Sequence, residues 1–144
     1  MSIRFLDDIA TADVAFEVES PSVEALFADS AEAFLQTSVA DAESVRRNLQ
    51  HTVSAAAPDI PRLLREFLDE LIFLKDTEQL LLHIRAASVE TGDDGSLRVT
   101  ALGQGERIAP EQHQLLAEVK AVTYHRFEVN ATPAGWHALV VLDV

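Results

Sequence analysis

EVKAVTYHRFEVNATPAGWHALVVLDV, residues 118–144, is the stretch whose reading decides the fold. Over residues 118–129 the side chains alternate, with Val119, Ala121, Thr123, Phe127 and Val129 on one face and Glu118, Lys120, Tyr124, Arg126 and Glu128 on the other. A period of two with one dry face is the pattern of a half-buried strand. Residues 130–135 then supply the turn formers Asn, Thr, Pro and Gly. Residues 136–144 are apolar on both faces apart from His137 and Asp143, so this last strand is expected at the centre of its sheet. A carboxylate closing such a strand is costly in an apolar setting. Asp143 must therefore be solvated, paired or bound to a cation.

The 144 residues suffice for one domain with a proper core, and 48% hydrophobic content with only 5 Gly and 5 Pro argues against disorder. One domain spanning residues 1–144 is the expectation. A formal charge of −13 speaks against strong direct binding of nucleic acid, which depends on Lys and Arg neutralising phosphates, and against anionic membrane surfaces. With no cysteine there is no disulfide framework, no thiolate zinc site and no cysteine nucleophile. The acidic N-terminal region lacks the basic and apolar segments of a signal peptide, which points to the cytoplasm.

Working outward from the C-terminal stretch, residues 3–6 read as a short strand, and residues 13–19 alternate Val14, Phe16 and Val18 against Asp13, Ala15, Glu17 and Glu19. Ser20 and Pro21 look like the N-cap and first residue of a helix in which Val23, Leu26, Phe27, Ala31, Phe34 and Leu35 recur at helical spacing. Residues 46–56 form a weaker strand candidate. Pro58, Asp59 and Pro61 start a second helix with Leu63, Leu64, Phe67, Leu68, Leu71 and Ile72 as its apolar stripe, and Arg65, Glu66, Asp69 and Glu70 on its wet side. Residues 79–90 and 96–103 are strands joined by the turn Gly92-Asp93-Asp94-Gly95, and residues 105–114 make a polar connection. The class that follows is α+β: an antiparallel-rich mixed β-sheet with two main helices packed on one face.

Two strand-end aspartates frame the candidate chemistry. If the Asp13 strand pairs antiparallel with the last strand, Asp13 and Asp143 reach the same rim of the sheet, whereas a parallel pairing separates them. Together with a main-chain or terminal oxygen of Val144 they would form an all-oxygen cluster suited to Ca²⁺ or Mg²⁺. From patterning alone, two solvated strand-end aspartates are much the simpler account. Lys120 and His125 fall on opposite faces of a regular strand, and His51, His83, His113 and His137 show no zinc-ligand spacing. Asp93 and Asp94 serve the turn, and Asp69 and Glu70 the solvated helix face. The chain has neither a phosphate-binding Gly-rich loop nor a Gly-x-Ser-x-Gly nucleophile turn, so it is poorly equipped as an enzyme in its own right.

Several runs carry a further signal together: Thr11-Ala12-Asp13-Val14, Val23-Glu24-Ala25-Leu26-Phe27 and the run from Leu64 through Arg65-Glu66-Phe67 to Leu74. More specific are Gly105-Glu106, then Glu118-Val119-Lys120-Ala121-Val122-Thr123-Tyr124-His125, and finally Gly135-Trp136 with the ending Val140-Val141-Leu142-Asp143-Val144. In their order and spacing, over nearly the whole chain, these resemble the archease family. What the resemblance implies is an activator of an RtcB-type RNA ligase, the enzyme that joins 2′,3′-cyclic or 3′-phosphate ends to 5′-hydroxyl ends in tRNA splicing or RNA repair. It implies a metal site at Asp13, Asp143 and Val144 holding Ca²⁺ or another hard divalent cation, and a role in ligase activation for Lys120. By the same resemblance the ligase carries out the covalent chemistry, and this chain promotes its guanylylation and repeated turnover. The family usually has His at the position of Ala10 and an acidic residue near Ala109; the first departure bears on what orients Asp13. The competing readings are a stand-alone chaperone-like binding module and a metal-dependent phosphoesterase.

Overall fold

The computed structural model describes residues 2–6 and 13–144, so Ala10, Thr11 and Ala12 lie outside the described residues. Among the described residues eight strands and two α-helices follow in the order β1 (Ser2–Leu6), β2 (Asp13–Ser20), α1 (Val23–Ser38), β3 (Leu49–Ala57), α2 (Ile60–Glu78), β4 (Leu80–Thr91), β5 (Leu97–Arg107), β6 (Ala121–Val122), β7 (Glu128–Thr132) and β8 (Gly135–Asp143), with a 3-10 turn at Ala42–Ser44 before β3. The expected α+β class, with antiparallel sheets and two helices, is the one observed. The strands divide between two sheets, one ordered β1-β2-β8 with β6 and β7 both on the far side of β8, the other β3-β5-β4. Every pairing among the described residues is antiparallel.

Why β8 is central is clear from its composition. Ala138, Leu139, Val140, Val141 and Leu142 are all buried, which requires cover on both faces and neighbours on both edges. Its even-numbered residues share a core with Phe16 and Val18 of β2, with Val53, Val99 and Leu82 of the second sheet, and with the stripes of both helices. The α2 stripe predicted from spacing is buried at all six positions, and Phe67 meets Phe27 of α1 with ring centroids 5.5 Å apart. Burying one such aromatic side chain contributes on the order of 2–3 kcal/mol, so these helices are held mainly by their apolar stripes.

Local chemistry sets the boundaries, and in three places it departs from the expectation. Ser22, not Ser20, caps α1, its hydroxyl accepting from the Ala25 amide at 3.1 Å. Ser20 stays at the end of β2, where its hydroxyl donates to Asp29 at 2.5 Å. Asp59 caps α2 as expected, accepting from the Arg62 amide at 2.9 Å, and Gln79 ends that helix in the left-handed region at φ 57°. β5 runs on to Arg107, so the connection expected to start at residue 105 begins later. Gly105 has the look of a loop residue, but its role is close approach: a Cβ there would overlap the Leu81 carbonyl of β4.

The third departure is the largest. Residues 118–129 are not one strand. The chain touches β8 at Ala121–Val122, leaves it, turns through Arg126 at φ 56°, and returns as β7. Between the pairs Val122↔Leu142 and Glu128↔Leu139 it spends five residues, 123–127, against two on β8. Alternation sets which residues point to a face but not whether pairing is continuous, and the surplus residues loop out toward α2. The hairpin into β8 closes over Pro133 and Ala134, with Gly135 at φ 146° beside the backbone of Ser20 and Pro21. No helix among the described residues is long and apolar enough to cross a membrane.

Candidate metal centre

The β2–β8 ladder pairs Asp13 directly with Asp143, and the same register continues through Val14↔Leu142 to Ser20↔Trp136. Directly opposed residues point to the same face of a sheet, with Cα atoms about 4.5–5.5 Å apart. Both aspartates are half-buried, and they close the rim on which the two strands begin and end. The antiparallel condition posed by the sequence is therefore met. On the other edge of β8, Ala121 pairs with Asp143, and the Lys120 amide donates to the Asp143 carbonyl at 2.7 Å. One row across three strands thus brings together Asp13, Asp143 and the backbone next to Lys120. Lys120 itself is exposed, and Val144 is half-buried beside Asp143.

The chemistry of this donor set suits a hard cation. Two carboxylates facing each other across a ladder repel, and a divalent ion between them turns that repulsion into attraction. Main-chain oxygen at Val144 and water would have to complete the shell, since no group of three or more His, Cys, Asp or Glu side chains in a metal-binding arrangement occurs among the described residues. Nitrogen and sulfur donors for a zinc-type site do not converge here.

The histidines go elsewhere. His83 lies between Glu32 at 3.4 Å and the Val45 carbonyl at 3.1 Å. On the outer face of the first sheet His137 lies 3.4 Å from Glu17, whose carboxyl Arg4 holds below the usual glutamate range by hydrogen bonding. His113, fully buried, donates from Nε2 to Glu106 at 2.9 Å while its Nδ1 accepts from the Ala109 amide at 2.9 Å, which assigns the Nε2–H tautomer. His125 is exposed on the loop after β6, so Lys120 and His125 do not share a regular strand.

Sequence reasoning missed two features. The first is Glu106, whose carboxylate gathers the Arg46 amide, Gln112, Asn48 and His113 and is held below its usual pKa chiefly by the Arg46 amide. Only its place in the Gly105-Glu106 pair singled it out. The second is Asp69, expected on a solvated helix face. It is half-buried, its pKa is pushed up by that burial, and the neighbouring positive charge of Arg65 offsets part of the shift. No pattern in α2 could have shown that a two-residue strand packs there.

Comparison with known proteins now becomes decisive, because a sequence profile of the archease protein family matches residues 4–144. The chain belongs to the archease family. Relatives named protein archease include that of Archaeoglobus fulgidus, 33% identical over 144 residues and covering 100% of both chains. That of Methanosarcina mazei is 32% identical over 134 residues, covering 93% of this chain and 91% of its own. The solution structure of protein 1598 from Methanobacterium thermoautotrophicum superposes with a TM-score of 0.84 at 32% identity over 99% of this chain and 98% of that one. The archease fold is also seen in a Thermotoga maritima crystal structure, described as an archease and possible chaperone, with a TM-score of 0.59 at 18% identity over 94% and 93% of the two chains.

Proposed function

We propose that this archease-family chain activates an RtcB-type RNA ligase, promoting its guanylylation and multiple turnover, from the rim formed by Asp13, Asp143 and Lys120. The observation that carries this reading is the direct Asp13↔Asp143 pairing with the Lys120 amide bound to the Asp143 carbonyl. Asp13, Asp143 and a main-chain oxygen of Val144 would hold Ca²⁺ or a similar ion. Such an ion supplies a concentrated positive charge for phosphate oxygens. The protein's own part is to present that rim rigidly: β8 is buried on both faces and holds Asp143, β2 holds Asp13 by register, and the bond to the Asp143 carbonyl holds the backbone at Lys120. A net charge of −13 favours encounter with a basic, RNA-handling partner over direct capture of RNA. On this reading the chain acts as an activator and the ligase as the enzyme; among the described residues no nucleophile stands beside a general base at the rim.

A second reading is a chaperone-like binding module. It is favoured by an exposed apolar cleft of about 370 Å³ lined by Phe5, Val14, Gln36, Thr37, Leu116 and Ala117, beside which Leu116 is 57% exposed. Ligation of 2′,3′-cyclic-phosphate RNA with limiting cognate ligase separates the two. The activator reading expects several turnovers per ligase with the protein and about one without it. Equal turnover with and without the protein, alongside suppressed aggregation of an unrelated client, would favour the chaperone.

A further inference from the structure

β6 is a two-residue strand that carries the Lys120 backbone to the rim, and backbone hydrogen bonds flank its ladder with β8 at either end, Lys120 to Asp143 at 2.7 Å and Thr123 to Val141 at 2.9 Å. So short a ladder does not hold itself in place. The chain beyond it loops out over residues 123–127, and Tyr124 is 79% exposed. What anchors it lies on the surface of α2. The Arg65 guanidinium carbon sits 3.5 Å from the centroid of the Tyr124 ring, a close cation–π stack. Arg65 Nη1 is covered and finds no hydrogen-bond partner among the described residues, so the ring face is what that end of the guanidinium rests on.

We infer that Arg65 forms a clamp on α2 that grips the Tyr124 ring and thereby holds the β6 segment, with the Lys120 backbone, beside the Asp13–Asp143 pair. This rests on the activator reading for its functional consequence, and on geometry alone for the clamp. Arg65 is a positioning residue acting through Tyr124 and β6. The clamp needs a flat cation and a flat ring, which fixes what substitutions it tolerates. Tyr124→Phe keeps the ring and the stack. Tyr124→Ala removes the ring, and Arg65→Lys replaces a planar stacking group by a compact ammonium on a flexible stem.

Two measurements test it. Amide hydrogen exchange on the free protein is expected to accelerate about fivefold at Ala121, Val122 and Thr123 in Arg65→Ala and Tyr124→Ala, the size set by loss of one cation–π contact, and to stay as in the wild type in Tyr124→Phe. The β2–β8 amides serve as the internal control and keep their protection. In the multiple-turnover ligation assay, Tyr124→Ala and Arg65→Lys are expected to lose about three- to tenfold in maximal stimulation, with Tyr124→Phe restoring it. Unchanged exchange in Arg65→Ala overturns the clamp, and full stimulation by Tyr124→Ala overturns its positioning role. Wild-type protein that fails to stimulate at all overturns the activator reading instead and leaves the exchange result to decide the clamp. A substitution that unfolds the chain shows as lost β2–β8 protection, in which case exchange in Arg65→Lys, the milder change, decides for or against the clamp by the same criterion.

Discussion

Glu106→Ala removes the acceptor for four donors at once, and the structure sets the size of the loss. On one carboxylate oxygen converge the Arg46 amide at 2.7 Å, Gln112 Nε2 at 2.7 Å and His113 Nε2 at 2.9 Å, while Asn48 Nδ2 reaches the other at 3.3 Å. Asn48 and Gln112 can turn to water and Arg46 is exposed, its amide bond to Glu106 only partly covered, but the His113 side chain is fully buried. Leaving a buried donor unsatisfied costs about 1–3 kcal/mol, so His113, the one that cannot re-solvate, sets the loss at about 1–3 kcal/mol. For a domain of this size that lowers the thermal midpoint by about 3–12 °C. Glu106→Gln is the sharper control. Its amide oxygen can take the three close donors and its nitrogen can donate to Asn48 once that side-chain amide flips to present its oxygen, for a loss of about 1 kcal/mol. Urea titration at neutral pH measures both. The linkage sign follows from the lowered pKa: Glu106 stabilises fully above its unfolded value near 4.5, and the contribution disappears as pH falls through the lower folded value. The gap between wild type and Glu106→Ala should therefore close on acidification. A loss below about 0.5 kcal/mol for Glu106→Ala, or a gap that widens in acid, refutes the reasoning.

The remaining predictions concern the helix cap, the sheet and the ion. Ser22→Ala should cost about 1 kcal/mol in chemical denaturation through loss of the α1 cap. A neutral Ser22→Ala would return the cap to Ser20. Gly105→Ala places a Cβ against the Leu81 carbonyl and should cost about 3 kcal/mol or abolish soluble expression; a wild-type thermal midpoint would mean that β4 and β5 do not approach so closely. Calcium at about 100 times its dissociation constant should stabilise the metal-stripped protein by about 2.7 kcal/mol, a rise of about 5–10 °C in thermal midpoint. Asp13→Asn should flatten that response, and an equal rise in the variant would put the ion somewhere else.

The fold was legible wherever burial follows a simple period. The α2 stripe, the alternation of β2, the Gly92–Gly95 turn and the two-sided burial of β8 each state a local demand that the tertiary structure satisfies without compromise. The candidate site was half legible: the strand-end positions of Asp13 and Asp143 could be seen, but their meeting depended on a pairing that only topology decides. The misreadings have physical reasons. Residues 118–129 alternate like a strand with Val119 and Val129 on its dry face, but Val122, of the opposite parity, is buried as well, because the chain meets β8 in two separate approaches. Gly105 looks like a loop residue because a loop and a close backbone approach demand the same missing Cβ. Ser20 and Ser22 are chemically identical candidates for the cap, and Asp29, a partner supplied from within α1, takes Ser20. Asp69 was assigned to water because nothing in a helix reveals which loop returns to cover it.

The central claim is that the carboxylate pair at the rim serves ligase activation, and multiple-turnover ligation by limiting cognate ligase with wild type, Asp13→Asn and Asp143→Asn tests it most directly. Each variant is nearly isosteric and relieves the repulsion between the paired carboxylates, so the metal-free fold should be as stable as the wild type or slightly more so. Both variants are predicted to remain folded and to lose at least about tenfold in stimulation, the scale expected when a group that organises a metal site is removed. Full stimulation by either folded variant would contradict the claim.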